Sequence, residues 1–297
     1  MSDDMETAGD GRGVLVCVTG GSGFIGSWLV RRLLGRGYAV RATVKSIQDE
    51  GETKHLRALD GAASRLRLLQ MDLLDPASVR AAVDGARGVF HLASPKEVLE
   101  PAVKGTLNVL RAARECGTGR VVLMSSKAAM VPDPKWPADR VIDEDSWADV
   151  ELLRKLQLWY NVSKTLAEKA AWDFSAREEG LQLVVINPGM VLGPFLTRLS
   201  MLASIGFCSF CKSILQFLIV HTTACPGQRM SMDLYMGCVD VRDVVQSLIA
   251  LIKEDKQGWV VRAKDPSRKL IDLGVRFTPF DVTIRDTVDC FRSKGLI

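Results

Sequence analysis

Tyr160 and Lys164 stand four residues apart in the stretch LWYNVSKTLAEKAAW. Apolar residues recur at helical spacing from Trp159 through Leu166 to Ala170, which predicts a helix. Four residues are about one turn, so phenol and ammonium share a face. Free tyrosine titrates near ~10 and is a poor acid–base group at neutral pH. A neighbouring ammonium and an oxidised nicotinamide both favour the phenolate and draw that value down, which suits proton exchange with a carbonyl oxygen. Upstream, RVVLMSS predicts a strand ending in Ser125 and Ser126, and strand alternation turns only one of these hydroxyls toward a site. A strand-end serine followed by a Tyr-x-x-x-Lys helix is a redox constellation. The tyrosine gives a proton to a carbonyl oxygen, the serine holds that oxygen, and the lysine bonds the ribose of a nicotinamide cofactor. The plainer alternative is an amphipathic helix with a half-buried tyrosine, because Tyr-x-x-x-Lys alone is common.

The elements before this helix supply the rest. Val14 to Val18 is a short apolar run with the length and β-branching of a buried strand. TGGSGFIGSWLV follows, with Gly20, Gly23 and Gly26 spaced G-x-x-G-x-x-G and apolar residues then recurring at helical spacing. Strand, glycine turn and helix together are the context in which such glycines let a backbone approach a pyrophosphate at a helix N-terminus. A tight turn without a ligand is the alternative. Tyr38 to Lys45 reads as a second strand. Its cations Arg41 and Lys45 suit a 2′-phosphate, which favours NADPH over NADH; two solvated cations on a strand edge would look the same. Arg67 to Leu73 reads as a third strand whose Asp72 either accepts from an adenine amino group or caps the helix starting near Pro76. Gly88 to Ser94 is a fourth, and Leu92, Ala93 and Ser94 at its end leave room for a ligand. His91 on it is expected to be a packed core histidine. Val103 to Arg114 should be a helix whose Asn108 bonds to backbone. Strands alternating with helices predict a doubly wound parallel sheet, an α/β fold.

At this point the chain resembles the extended short-chain dehydrogenase/reductase family. Within that family it is similar to the plant cinnamoyl-CoA reductase, dihydroflavonol reductase and phenylacetaldehyde reductase group. The likeness is carried by VTGGSGFIGSWLV, RATVK, MDLLD, VFHLASP, VKGTLNVLRAA, SSKAAMV, WYNVSKTLAEKAAW and NPGMVLGP, from Val14 to about Pro194. It implies a Rossmann-type domain and NADPH-dependent reduction of an aromatic carbonyl or thioester. It also implies Ser126, rather than Ser125, as the catalytic partner of Tyr160 and Lys164. Gly20, Gly21, Ser22, Gly23, Phe24, Ile25, Gly26, Arg41, Lys45, Asp72, Leu73, Leu92, Ala93, Ser94, Pro188, Gly189, Met190 and Val191 would line the cofactor, with Tyr160 and Lys164. LQLWYNVSK departs from the KNWYCYGK of cinnamoyl-CoA reductases proper and looks closer to aldehyde and ketone reductases.

Composition bounds these readings. The 297 residues carry a net charge of +4, 47% hydrophobic and 25% charged residues, and basic side chains scattered without a block run. That gives no ground for nucleic-acid binding. The acidic, glycine-containing opening lacks the order of a signal peptide and is expected to be a loose tail over residues 1–13. Seven cysteines in irregular spacing, with no secretory signal, suggest reduced thiols and a cytoplasmic protein; a monomer or homodimer is expected. The Rossmann-type domain is expected over 14–193 and the substrate lobe over 194–297. That lobe is atypical across 197–232 and carries a gap near 256–260. Its apolar run Leu199 to Val220 holds Lys212 at mid-stretch and is expected to be a lobe helix rather than a membrane span. Cys208, Cys211, His221 and Cys225 have a zinc-like spacing, but the residues between them are too greasy for a zinc module, and no metal is expected. Two rivals remain: a catalytically silent NADPH-binding protein with a damaged lobe, and a nucleotide-sugar epimerase or dehydratase.

Overall fold

The computed structural model describes residues 11–94, 99–135, 145–196, 237–253, 260–261 and 270–295. Residues 1–10 of the expected 1–13 tail, the apolar run with its cysteines and residues 256–259 of the apparent gap near 256–260 lie outside them, while residues 11–13 form a turn.

β1 (Leu15–Thr19) is buried almost throughout, as a continuous apolar run dictates when both faces of a sheet are covered. It lies between β2 (Ala39–Val44) and β4 (Gly88–His91), parallel to both. β3 (Leu66–Gln70), β5 (Arg120–Met124), β6 (Gln182–Ile186) and the short β9 (Val260–Val261) complete a seven-stranded sheet in the order β3-β2-β1-β4-β5-β6-β9. All its pairings are parallel. The order reverses between β1 and β4, so a crevice opens at their C-terminal ends.

Alternate side chains of β1 feed two cores. Val16 and Val18 pack with α1 (Phe24–Gly35) and α8 (Val241–Lys253) on one face. Cys17 packs with α4 (Pro76–Val83), α5 (Leu99–Glu115) and α7 (Trp159–Arg177) on the other. The predicted third, fourth and fifth strands end sooner than expected, at Gln70, His91 and Met124. Asp72, Ala93 and Ser126 therefore sit on loops at the mouth of the crevice.

A small second sheet pairs β7 (Met190–Leu192) with β8 (Cys238–Asp240), again in parallel. α9 (Phe280–Ser293) is fastened to it by buried polar contacts. Thr283 Oγ1 donates to Asp240 at 2.9 Å, and Gly193 N donates to Thr287 Oγ1 at 2.9 Å. Arg242 bridges Asp240 and Asp286, each at 2.7 Å. Burial would raise the Asp240 carboxyl, but its hydrogen bonds from Arg242 and Thr283 outweigh that and hold it below the usual range. Phe195 stacks on Phe24 with centroids 4.0 Å apart and on Phe291 at 5.9 Å, joining α9 to the start of α1. Asp243, in the first turn of α8, is buried. It accepts from Thr278 N and Oγ1, both at 2.8 Å, and burial pushes its carboxyl up.

Candidate functional site

The glycine turn is built for close approach. Gly20 has φ +72°, a left-handed conformation that favours glycine, and a Cβ there would meet Ala93 at 3.1 Å. A Cβ at Gly26 would lie 2.2 Å from Gly20 O, so α1 packs on the turn only without a side chain. The turn is pinned from both sides of the crevice. Gly21 N donates to Thr43 O at 2.9 Å and Gly20 N to Thr43 Oγ1 at 3.1 Å. Leu92 N and Ala93 N both donate to Thr19 Oγ1 at 3.1 Å. α1 starts at Gly23 with no side-chain cap and no acid in its first turn, which leaves its N-terminal dipole for an anion. Ser22 and Ile25 are half-buried in this cradle, Ser94 is exposed, and the ring of Phe24 turns to Phe195. These features fit a dinucleotide.

The two cations do not sit together. Lys45 stands exposed, directly after β2. Arg41 lies earlier on the strand, and its guanidinium donates to Ala82 O at 3.0 Å and Asp84 O at 2.5 Å, at the C-terminal end of α4. It caps that helix instead of joining Lys45 at the strand end. Asp72 is exposed and accepts from Leu74 N at 2.9 Å, while Asp75 takes the α4 cap through Ala77 N and Ser78 N. Leu73 lies half-buried against Gly105, and Asn108 Nδ2 donates to its carbonyl at 2.9 Å.

Across the crevice α7 carries Tyr160 and Lys164 on one face, opposite the loop after β5. The Tyr160 hydroxyl is hydrogen-bonded to the Ser126 hydroxyl. Ser126 Oγ also accepts from Ala128 N at 3.1 Å. Ser125 points the other way, into the core, and donates to Glu168 Oε2 at 2.5 Å. The pair thus divides as strand alternation requires, with Ser126 on the tyrosine's side. Tyr160 keeps 39% of its surface exposed while its hydroxyl end is packed. Burial pushes that phenol up, with Ser126 only partly opposing it. This reverses the lowering expected from the sequence. Lys164 lies deep, with Nζ 3.5 Å from Met124 O and 6.0 Å from the Tyr160 ring centroid, and burial draws it down to about 8. Pro188 O accepts from Lys127 N at 2.9 Å, and a Cβ at Gly189 would strike Gly237 O at 1.8 Å. Met190 to Val191 continue as β7, so this loop closes the far side of the mouth.

Two residues near the site escaped the sequence reading. Glu168, 1% exposed, accepts from Ser125 and from Asn187 Nδ2 at 2.7 Å. Asn187 Nδ2 also reaches Ser126 O at 3.1 Å. A signal existed, for Glu168 lies one turn after Lys164 on an otherwise apolar face. Behind Lys164 a cavity of about 20 Å³, room for one water, is bordered by His91, Ser125 and Glu168. His91 is the packed core histidine expected. It bonds Thr19 Oγ1 through Nδ1 at 2.9 Å, and burial, with the Lys164 charge adding, draws it down to about 3. It stays neutral there. Among the described residues no group of three or more His, Cys, Asp or Glu is placed to hold a metal ion, and no helix is long and apolar enough to cross a membrane.

Comparison with known proteins agrees with this geometry. The model of the NAD dependent epimerase/dehydratase family matches residues 16–261. Cinnamoyl-CoA reductase 2 of Medicago truncatula is 36% identical over 310 residues, covering 94% of this chain and 92% of that protein. The crystal structure of vestitone reductase from alfalfa superposes with a TM-score of 0.75 at 28% identity, covering 95% of this chain and 99% of that one. Gre2 of Candida albicans, solved in complex with NADPH, gives a TM-score of 0.75 at 26% identity, covering 94% and 99%.

Proposed function

This chain belongs to the NAD dependent epimerase/dehydratase family, and we propose that within it the protein is an NADPH-dependent reductase of aromatic carbonyl compounds or acyl-CoA thioesters. The observation that carries the reading is the hydrogen-bonded Ser126–Tyr160 pair, with half-buried Lys164 one turn along α7, facing the glycine cradle across the crevice. The uncapped start of α1 and the turn from Gly20 to Gly26 would hold the pyrophosphate, and Lys45 the 2′-phosphate. When bound, NADPH supplies a hydride to the substrate's carbonyl carbon.

Everything else falls to the chain's own residues. Burial keeps the Tyr160 phenol protonated at neutral pH, the state needed in a group that must give a proton to the carbonyl oxygen. Ser126 holds that oxygen beside the phenol and orients it. As charge grows on the oxygen, Tyr160 passes its proton across, and the Lys164 ammonium stabilises the phenolate left behind. Asn187 and Glu168 fix the loop that presents Ser126. The phenylpropanoid type of substrate rests on likeness to cinnamoyl-CoA reductases.

The test is NADPH consumption with aromatic aldehydes, ketones and hydroxycinnamoyl-CoA thioesters, with Tyr160→Phe run alongside. The variant should lose turnover about 100-fold or more, the scale of a lost general acid, while keeping its NADPH affinity. A variant equal to the parent would mean that Tyr160 is not the proton donor.

A further inference from the structure

We propose that Glu52 sets the cofactor preference by holding the 2′-phosphate seat with its own carboxylate. The inference rests on reading the end of β2 as the adenosine side of the NADPH site. Beyond Val44, three consecutive backbone N–H groups turn to side-chain oxygens. Lys45 N and Ser46 N donate to Glu52 Oε2 at 2.8 and 3.3 Å, and Ile47 N donates to Gln70 Oε1 at 3.4 Å. The Lys45 and Ser46 N–H groups converge on one carboxylate oxygen and so form an anion-binding nest of two amides. The Lys45 side chain stands exposed beside it, and Arg41, spent on the end of α4, adds no second cation.

Glu52 reaches the nest from the first turn of α2 (Glu50–Arg57), whose N-cap is Asp49. An acid at the third helical position ordinarily turns back to the N–H of the N-cap residue. Glu52 passes over Asp49 and takes two amides further upstream. A phosphate monoester brings about 1.5–2 negative charges and three acceptor oxygens. It cannot share those amides with a carboxylate, so its arrival displaces Glu52 and both of the hydrogen bonds it holds. A ribose 2′-hydroxyl can instead donate to Glu52 where it stands, as an acid near the end of this strand does in NAD sites. Glu52 therefore weakens NADPH and favours NADH relative to a neutral residue in its place.

The experiment titrates NADPH and NADH separately against the full chain, Glu52→Gln and Glu52→Lys, following tryptophan fluorescence and thermal midpoint. Glutamine still offers an oxygen to the two amides, so the loop keeps its hydrogen bonds while the charge goes. Glu52→Gln should tighten NADPH about tenfold, the worth of one charge-assisted hydrogen bond. Glu52→Lys should tighten it further, and NADH should hold steady or weaken in both. An unchanged ratio of the two dissociation constants in both variants, with NADPH still bound, would overturn the role of Glu52 and leave the cofactor site standing. NADPH binding to none of the three proteins would overturn the site and the inference together.

Discussion

Glu168 ties the catalytic loop to the core, and removing it should damage stability and chemistry by separable amounts. Its carboxylate accepts from Ser125 at 2.5 Å and Asn187 at 2.7 Å, and Trp172 Nε1 lies within 3.4 Å. Alanine leaves the Ser125 hydroxyl and the Asn187 amide without that acceptor where little water reaches. At ~1–3 kcal/mol for each orphaned group, with the vacated volume added, Glu168→Ala should cost ~3–5 kcal/mol. Ser125 and Asn187 both donate to Oε2, so glutamine can keep both on its one oxygen while its NH2 opposes Trp172 Nε1, and Glu168→Gln should cost at most about half as much and leave turnover near the parent's. Urea unfolding followed by tryptophan fluorescence and circular dichroism gives both values. In Glu168→Ala the Ser126 loop loses its anchor through Asn187, so kcat/KM should fall about tenfold, as loss of geometry without loss of a reacting group would do. NADPH affinity should stay near the parent's, because the glycine cradle lies across the crevice. A cost below ~1 kcal/mol for Glu168→Ala would refute the reasoning, because two buried hydrogen bonds to a carboxylate cannot vanish that cheaply.

Lys164 carries a pH signature. Its ammonium is charged in both folded and unfolded chain below about pH 8, where it pays the full cost of burial; between about 8 and its ordinary 10.5 only the folded chain has given up the proton, so this residue's contribution to stability rises across that window. Lys164→Met should therefore be the more stable protein at pH 7, by roughly 1–3 kcal/mol, with the gain fading toward pH 10.5 and turnover lost throughout; thermal melts across that range check the sign. For the two cations of β2 the effects should separate. Arg41→Met should lower stability by about 1–2 kcal/mol through the lost cap on α4 and leave the NADPH-to-NADH preference unchanged. Lys45→Met should weaken NADPH about five- to tenfold without altering the unfolding midpoint; fluorescence titration and urea curves decide both.

Local signals account for most of what was readable in advance. The β1–turn–α1 unit and the Tyr160–Lys164 helix announce themselves because each combines a hydrophobic period with residue types that its geometry demands. Strand alternation says that Ser125 and Ser126 point opposite ways, and the family resemblance chose Ser126 as the one facing the site. The role of Arg41 was not readable that way. It shares β2 with Lys45, and only the packing of α4 against the strand end shows that its guanidinium is already taken. The burial of the Tyr160 phenol was unreadable for a related reason. A pairwise view counts the nearby ammonium, whereas the folded chain adds burial, which dominates. Nothing near Asp243 in the sequence announces its burial, because Thr278, thirty-five residues later, folds over it. Glu168 announced itself only by its place one turn after Lys164, because its partners Ser125 and Asn187 come from distant loops, and Glu52 gave no periodic signal because its partners are backbone amides.

The central claim is hydride transfer to a carbonyl carbon with proton delivery by Tyr160. NADPH deuterated on the transferring face of the nicotinamide, incubated with an aromatic aldehyde, tests it most directly. The account predicts deuterium on the carbinol carbon of the product from the parent protein. Tyr160→Phe should bind the same NADPH and yield almost no labelled alcohol. NADPH bound by the parent with no label passed to any aldehyde, ketone or thioester offered, or equal labelling from parent and variant, would contradict it.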